Sequence, residues 1–270
     1  MKNCVKGFSL IEIIAALAIL AIVTGIALPF SFRSLDTERE RLTISEMQEI
    51  HQAIVGNPEL GTYGFLGDMG KLPDNLIDLI KKPTGISDFN HDHTNRVGMG
   101  WKGPYLSSFS EDDLRTDEWG TLYQYSSTGI NAGQVISAGP DRDINTIADN
   151  ITYPADGPVK TTGNLFLTIF VNRVAEPAEV TVYVYSTDNG NESATVLTKT
   201  TGSDGRNYPG FYFHDLKHGI HAVKATHSDL LSADATGIVV SRTVNVGIRE
   251  HAQKNYKIYL GTAATSKLKI

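Results

Sequence analysis

Apolar and polar positions divide the chain into stretches of different grammar. From Phe8 to Phe30 nearly every residue is apolar, and Glu12 carries the one charge. A helix apolar on every face belongs in a bilayer or among other apolar helices. About 20 such residues cross the hydrocarbon core, and Gly25 and Pro29 are breaks that membrane helices tolerate. After Phe32 the pattern turns amphipathic. Leu35, Leu42, Met47, Ile50 and Ile54 recur near helical spacing with charge between them. One helix is therefore expected from the apolar segment onward, stopped by Gly56-Asn57-Pro58.

The middle of the chain is mixed. Pro73 to Lys82 predicts a second short helix with Leu76, Ile77 and Ile80 inward, ended by Pro83. Residues 84–100 read as loop. A turn at Asp117 leads into a strand with aromatics at alternate positions, Tyr123 and Tyr125, and Gln134 to Ser137 is another short strand. Pro154 to Gly163 reads as a linker. Beyond it every signal is strand. Leu165, Leu167, Ile169 and Val171 alternate, and so do Val180, Val182 and Val184. Further strands are expected over 194–200, 211–214, 220–226, 238–246 and 256–260. Turns at Asp188-Asn189-Gly190, Ser203-Asp204-Gly205 and Lys217-His218-Gly219 separate them. About seven short strands with regular turns describe a β-sandwich. The expected class is α+β: a long N-terminal helix with a small antiparallel sheet, then an all-β sandwich. The stretch from Phe213 to Val223 resembles one in immunoglobulin-like and prealbumin-like sandwiches, which speaks to fold alone.

Composition narrows the function. The 270 residues carry a formal net charge of -6, so a basic nucleic-acid surface is not expected. Cys4 is the single cysteine. No Ser/His/Asp set, phosphate loop or paired-cysteine cluster suggests catalysis, and an enzyme is not expected. His91-Asp92-His93 reads as a solvated loop, and His214, His218, His221 and His227 fall on an ordinary strand pattern. The acidic loop after Ser137 is richer. Asp141, Asp143 and Asn145 have D-x-D-x-N spacing, with Asp149 at the ninth place. It begins like a helix-loop-helix calcium site but has Thr146 for the turn glycine and Thr152 for the bidentate glutamate. Its oxygens suit a hard cation, and a solvated acidic turn is the other reading.

Glu12 leaves two readings. It is the carboxylate of a signal anchor, near Lys6. Alternatively, after a cut between Gly7 and Phe8, it pairs with the new amino group of a neighbouring copy. Lys6-Gly7-Phe8-Ser9-Leu10-Ile11-Glu12 resembles the class III signal peptide of type IV pilins and type II secretion pseudopilins. The resemblance implies a prepilin peptidase that cuts after Gly7 and methylates Phe8, with Glu12 as the assembly carboxylate. It implies a single-pass precursor in the bacterial inner membrane, with a cytoplasmic leader and periplasmic C-terminal domains. Its partners would be its own copies, other pseudopilins and an inner-membrane assembly platform.

Trp101-Lys102-Gly103-Pro104-Tyr105-Leu106, Asp117-Glu118-Trp119-Gly120 and Ser137-Ala138-Gly139-Pro140-Asp141 occur in that order and resemble the major pseudopilin of type II secretion. That likeness implies calcium at Asp141 and Asp149, with the carbonyl of Ile136 or Thr146. Asp143, Asn145 and Asn150 join on their chemistry. Ile147-Ala148 departs from the family pattern, and the resemblance ends near residue 153. The implied plan is a leader over 1–7, a transmembrane and stalk helix over 8–57 and a pseudopilin globular domain over 58–153. A linker over 154–163 and a β-sandwich over 164–270 complete it. The expected role is a structural subunit of a secretion filament. The alternative is a surface pilin whose sandwich binds a glycan or cell-surface partner.

Overall fold

The computed structural model describes residues 10–57, 59–92, 97–107, 109–112, 114–171, 174–175, 180–199, 211–227, 242–248 and 253–260. The first element is the helix α1, Leu10–Val55, unbroken over 46 residues. At 1.5 Å per residue it is about 70 Å long. It ends where Gly56 takes a left-handed conformation (φ 83°) and donates its N–H to Gln52 O at 2.7 Å.

The last turns of α1 anchor a head. Thr43, Met47, Ile50 and Ile54 are fully buried, a run of i+3 and i+4 steps on one face. They meet Phe65, Leu66 and Met69 of α2 (Gly64–Met69), with Leu72, Leu79, Leu106, Leu114, Val135 and Val159 closing the core. Leu35, expected on this face, is 54% exposed. Among the described helix residues the first buried side chain is Thr43, so spacing alone overextended the buried stripe.

The helix expected over 73–82 is a single 3₁₀ turn, Leu76–Leu79. Asn75 and Asp78 form a reciprocal capping box at its start. Its carbonyls are then taken from outside. Trp101 Nε1 donates to Asp78 O at 3.0 Å, and Tyr105 N donates to Leu79 O at 2.8 Å. Those bonds replace the ones that would have continued an α-helix. α2 lies where no helix was expected, because six residues carry too little periodicity to register.

Two small sheets complete the head. Strands β1 (Asn90–His91) and β2 (Gly98–Met99) form a hairpin, and β3 (Gln124–Tyr125), β4 (Val135–Ser137) and β5 (Ile151–Tyr153) an antiparallel sheet in that order. Residues 154–163, expected to form a linker, make contacts with the head. Val159 is 6% exposed and its N–H donates to Ala132 O at 2.8 Å, while Gln134 Nε2 donates to Pro154 O at 2.7 Å.

The C-terminal region is all strand. Thr162–Val171 (β6), Val174–Ala175 (β7), Val180–Asp188 (β8) and Asn191–Lys199 (β9) are followed by Phe211–Lys217 (β10), Gly219–His227 (β11), Arg242–Ile248 (β12) and Gln253–Leu260 (β13). One sheet has the order β10-β6-β13, with β7 against β6, and the other β12-β11-β8-β9. β13 runs parallel to β6, and the other pairs are antiparallel. Leu165, Leu167, Val182, Val184 and Val223 are buried, as alternation requires of one sheet face each. β10 breaks the alternation with a bulge: Phe213 pairs with Leu165, but Leu216 pairs with Gly163. The extra residue lets Phe213 and Leu216 both point inward while His214 and Asp215 stay outside. Asn189 and Gly190, at φ 50° and 73°, make the two-residue turn between β8 and β9.

That turn seats the sandwich on the head. Gly190 N donates to Met69 O at 3.0 Å, and Thr187 Oγ1 donates to Gly98 O at 3.0 Å. His218, 3% exposed, donates from Nε2 to Val55 O at 2.9 Å, so it takes up a carbonyl at the end of α1. A Cβ on Gly70 would stand 2.0 Å from Thr187 O, so only glycine allows the two backbones to approach here.

Candidate functional site

Two regions of the chain bear on function. The first is the N-terminal half of α1. Glu12 lies in its first turn, where the helix dipole favours a carboxylate. Around it the surface is apolar: Leu10 is 79% exposed, and Ile11, Leu17, Ile19, Leu20 and Ile22 are exposed too. An apolar surface of that extent marks a membrane or a protein partner. Thr24 does not interrupt it with a loose hydroxyl, since Oγ1 donates to Leu20 O at 2.7 Å. Gly7 and Phe8, where cleavage and methylation are expected, lie outside the described residues. Among the described residues no helix is long and apolar enough to cross a membrane. Of the expected span over 8–30, residues 8 and 9 and the side chains of 26–30 fall outside that description.

The second region is the loop from Gly139 to Asn150. Its entry is fixed by a buried network. Asp117, 4% exposed, accepts Trp119 N–H at 3.1 Å and Thr121 N–H at 2.8 Å on Oδ1, and the Ser137 hydroxyl at 2.6 Å on Oδ2. Ser137 Oγ in turn accepts Gly139 N–H at 3.1 Å. The same turn is tied to the stalk. Glu118 N–H donates to Thr43 Oγ1 at 3.3 Å, and Trp119 Nε1 donates to Asp36 Oδ1 at 3.3 Å. Tyr123 adds a bond to Glu46 Oε2 at 2.9 Å, and burial pushes its hydroxyl well above the ordinary tyrosine range. Gly139, at φ 70°, passes so close to Asp149 that a Cβ would stand 2.3 Å from its carbonyl oxygen.

Within the loop the acidic residues hold its own backbone. Asp141 Oδ1 accepts Asp143 N–H at 2.8 Å, and Asp143 Oδ1 accepts Asn145 N–H at 3.0 Å. The Asn145 bonds hold the exposed Asp143 carboxyl below its usual value. Asp149 Oδ2 accepts Asp141 N–H at 3.3 Å, which brings the two ends of the loop together. Asn150 Nδ2 donates to Ile144 O at 2.8 Å. Among the described residues no group of three or more His, Cys, Asp or Glu is placed to share one ion. Asp141 and Asp149 are joined, while Asp143 and Asn145 turn to each other. Two atoms are left over: Asp149 Oδ1 and Asn150 Oδ1 are buried and receive no hydrogen bond. Donorless buried oxygens are costly, and hard oxygen donors of this type fit a calcium-class cation. Of the histidine triplet, His91 and Asp92 lie on or beside β1, and His93 lies outside the described residues.

The residues that sequence reasoning missed are Asp117, Ser137 and Thr43. Each supports a loop or turn from a buried position, and each looks like an ordinary turn, strand or helix residue in the sequence. Asp117-x-Trp119-Gly120 was a visible signal, but not its burial.

A model of the prokaryotic N-terminal methylation motif matches residues 2–28. The N-terminus is that of a type IV pilin-like precursor. Such a precursor is processed by prepilin peptidase and joins pilin-like polymers, and the motif belongs to structural chains. No curated protein matches the chain.

Proposed function

We propose that this pilin-like chain is a subunit of a type II secretion-like pseudopilus, anchored in the inner membrane before assembly. Prepilin peptidase cuts after Gly7 and methylates Phe8. The apolar half of α1 then leaves lipid for a bundle of its own copies, other pseudopilins and the assembly platform. There Glu12 meets the amino terminus of a neighbour, which offsets the cost of a carboxylate among apolar helices. The observation that carries this reading is the methylation motif opening a 46-residue helix whose first turns expose only apolar side chains around one acid. The order Trp101-x-Gly103-Pro104-Tyr105, Asp117-x-Trp119-Gly120, Gly139-Pro140-Asp141 supports a secretion filament over a surface pilus.

Calcium belongs to the same proposal. Asp141 and Asp149 would hold the ion with Asn150, and its charge would satisfy the two donorless oxygens. It would fix a loop already linked to the stalk through Asp117 and Thr43.

Mass spectrometry of the mature chain tests the processing step. The expected N-terminus is methylated Phe8, and Gly7→Ala leaves the precursor uncut. A mature chain beginning at another residue refutes it.

A further inference from the structure

The head carries an apolar groove of about 460 Å³ between its 3₁₀ turn and β3, lined by Leu76, Ile77, Leu114, Leu122, Tyr123 and Tyr125. Leu122, just before β3, is 65% exposed. Among the described residues Arg115 is the one charged residue in the lining. It is exposed, and no described residue forms an ion pair with it. The carboxylates around it have other ties. Glu111 is paired with Lys81, Asp74 with Lys71, and Asp78 Oδ2 accepts Asn75 N–H at the start of the 3₁₀ turn. Asp112 touches Arg115 only through its backbone, whose carbonyl accepts Arg115 N–H at 3.1 Å.

The acidic loop between β4 and β5 has the opposite character. Ile147 is 84% exposed, and Ala148 beside it is exposed as well. The turn that presents them is held by its own bonds. Thr146 N–H donates to Asp143 O at 3.0 Å, and Asp143 Oδ1 accepts Asn145 N–H at 3.0 Å. A carboxylate has a second oxygen, so Asp143 Oδ2 stays available to an outside donor. The Asn145 bonds also keep this exposed carboxyl ionised, below its usual value. Calcium at Asp141, Asp149 and Asn150 uses neither Asp143 nor Ile147.

We propose that these features meet between two copies of the chain: Ile147 and Ala148 of one enter the groove of the next, and Asp143 pairs with Arg115. An apolar tip beside a carboxylate then faces an apolar groove beside a guanidinium, so the two surfaces match in polarity and in sign. Within one copy they stay apart. β3 is an edge of the sheet β3-β4-β5, whereas the loop leaves from β4 and returns in β5. Leu122 and Ile147 both remain exposed in the single chain, so neither covers the other. A contact between two different patches is heterologous, and it repeats along an open helix when the rotation does not close. This contact rests on the filament reading, in which the apolar half of α1 brings the heads side by side. It adds what that helix lacks. Apolar burial is non-directional, while a tip seated in a groove with a charge pair fixes one rotation of each head against the next.

Cysteine pairing in filaments tests it, because a mature chain beginning at Phe8 has no cysteine of its own. The full chain is expressed with a prepilin peptidase and an assembly platform, and filaments are collected from sheared material. Oxidising filaments of the double variant Leu122→Cys, Ile147→Cys is expected to give a ladder of disulfide-linked dimers, trimers and longer species, since the thiols come within bonding reach only across this contact. Each single variant is expected to give none. Filaments without the ladder overturn the contact and leave the filament reading standing, and so do dimers from one cysteine alone, which mark a symmetric contact. Absence of filaments from the unsubstituted chain removes the filament reading and this contact with it. A charge exchange gives a readout that needs no thiol. Arg115→Glu places like charges together and is expected to lower filament yield about tenfold. Adding Asp143→Arg to the same chain is expected to restore the yield to within about twofold of the unsubstituted chain. Both positions are exposed, and melting temperatures equal to the unsubstituted chain show that the variants fold. A double variant that assembles no better than Arg115→Glu overturns the pairing.

Discussion

Replacing Asp117 by alanine isolates what holds the acidic loop in place. The carboxylate accepts three hydrogen bonds, from Trp119 N–H, Thr121 N–H and the Ser137 hydroxyl, at a position 4% exposed. Hydrogen bonds to a charged group contribute about 1.5–3 kcal/mol each. Part of that sum offsets the cost of burying the carboxylate itself, which is several kcal/mol. The expected net loss for Asp117→Ala is therefore about 2–4 kcal/mol, most of it from donors left without an acceptor. Asp117→Asn keeps an oxygen for the two backbone donors, and its amide can donate to Ser137 Oγ, so about 1 kcal/mol is expected. Urea unfolding followed by tryptophan fluorescence reads the head directly, because Trp101 and Trp119 are the only tryptophans and both lie in it. With a slope of about 2 kcal/mol per molar, the midpoint should fall about 1–2 M for the alanine variant. A shift below about 0.5 kcal/mol, the scale of an inert surface change, would refute the network. Equal losses for the two substitutions would refute the reasoning about acceptors.

The same geometry predicts other outcomes. Glu12→Ala should be processed normally yet fail to enter filaments, read by fractionating membrane and sheared material; unaffected assembly removes its role. Calcium should raise the melting temperature of the head, and Asp149→Asn should reduce that rise; an unchanged melt leaves the loop a plain acidic turn. His221 is held below its ordinary pKa of 6.5, first by burial and against that by its bond to Lys217 O. A depressed folded pKa means the unfolded chain binds the proton first, so stability is fully present above pH 6.5 and falls as pH drops through the folded value. His221→Gln should flatten that acid-side loss in a melting series from pH 7 to about 5; an identical slope assigns it to other groups.

Much of the local architecture is legible in the residues alone. Periodicity is a local property, so an all-apolar run followed by an amphipathic stripe reads as one helix before any fold is known. Gly56 and Asn189-Gly190 mark a stop and a turn for equally local reasons of backbone freedom. Alternating Leu165, Leu167, Val182 and Val184 place two facing sheets. Other features depend on residues far apart in the chain and emerge only in the folded molecule. Trp101 and Tyr105 cap the carbonyls of Asp78 and Leu79, so a helical pattern over 73–82 closes after one turn. Thr43 and Asp117, 74 positions apart by their numbers (117 minus 43), both serve the turn at Trp119. The β8–β9 turn reaches α2, where Gly190 N–H meets Met69 O and Gly70 leaves space for Thr187. No spacing rule encodes such pairings, because hydrogen bonds and close packing select partners by distance in space, which the chain fixes only once its core has formed.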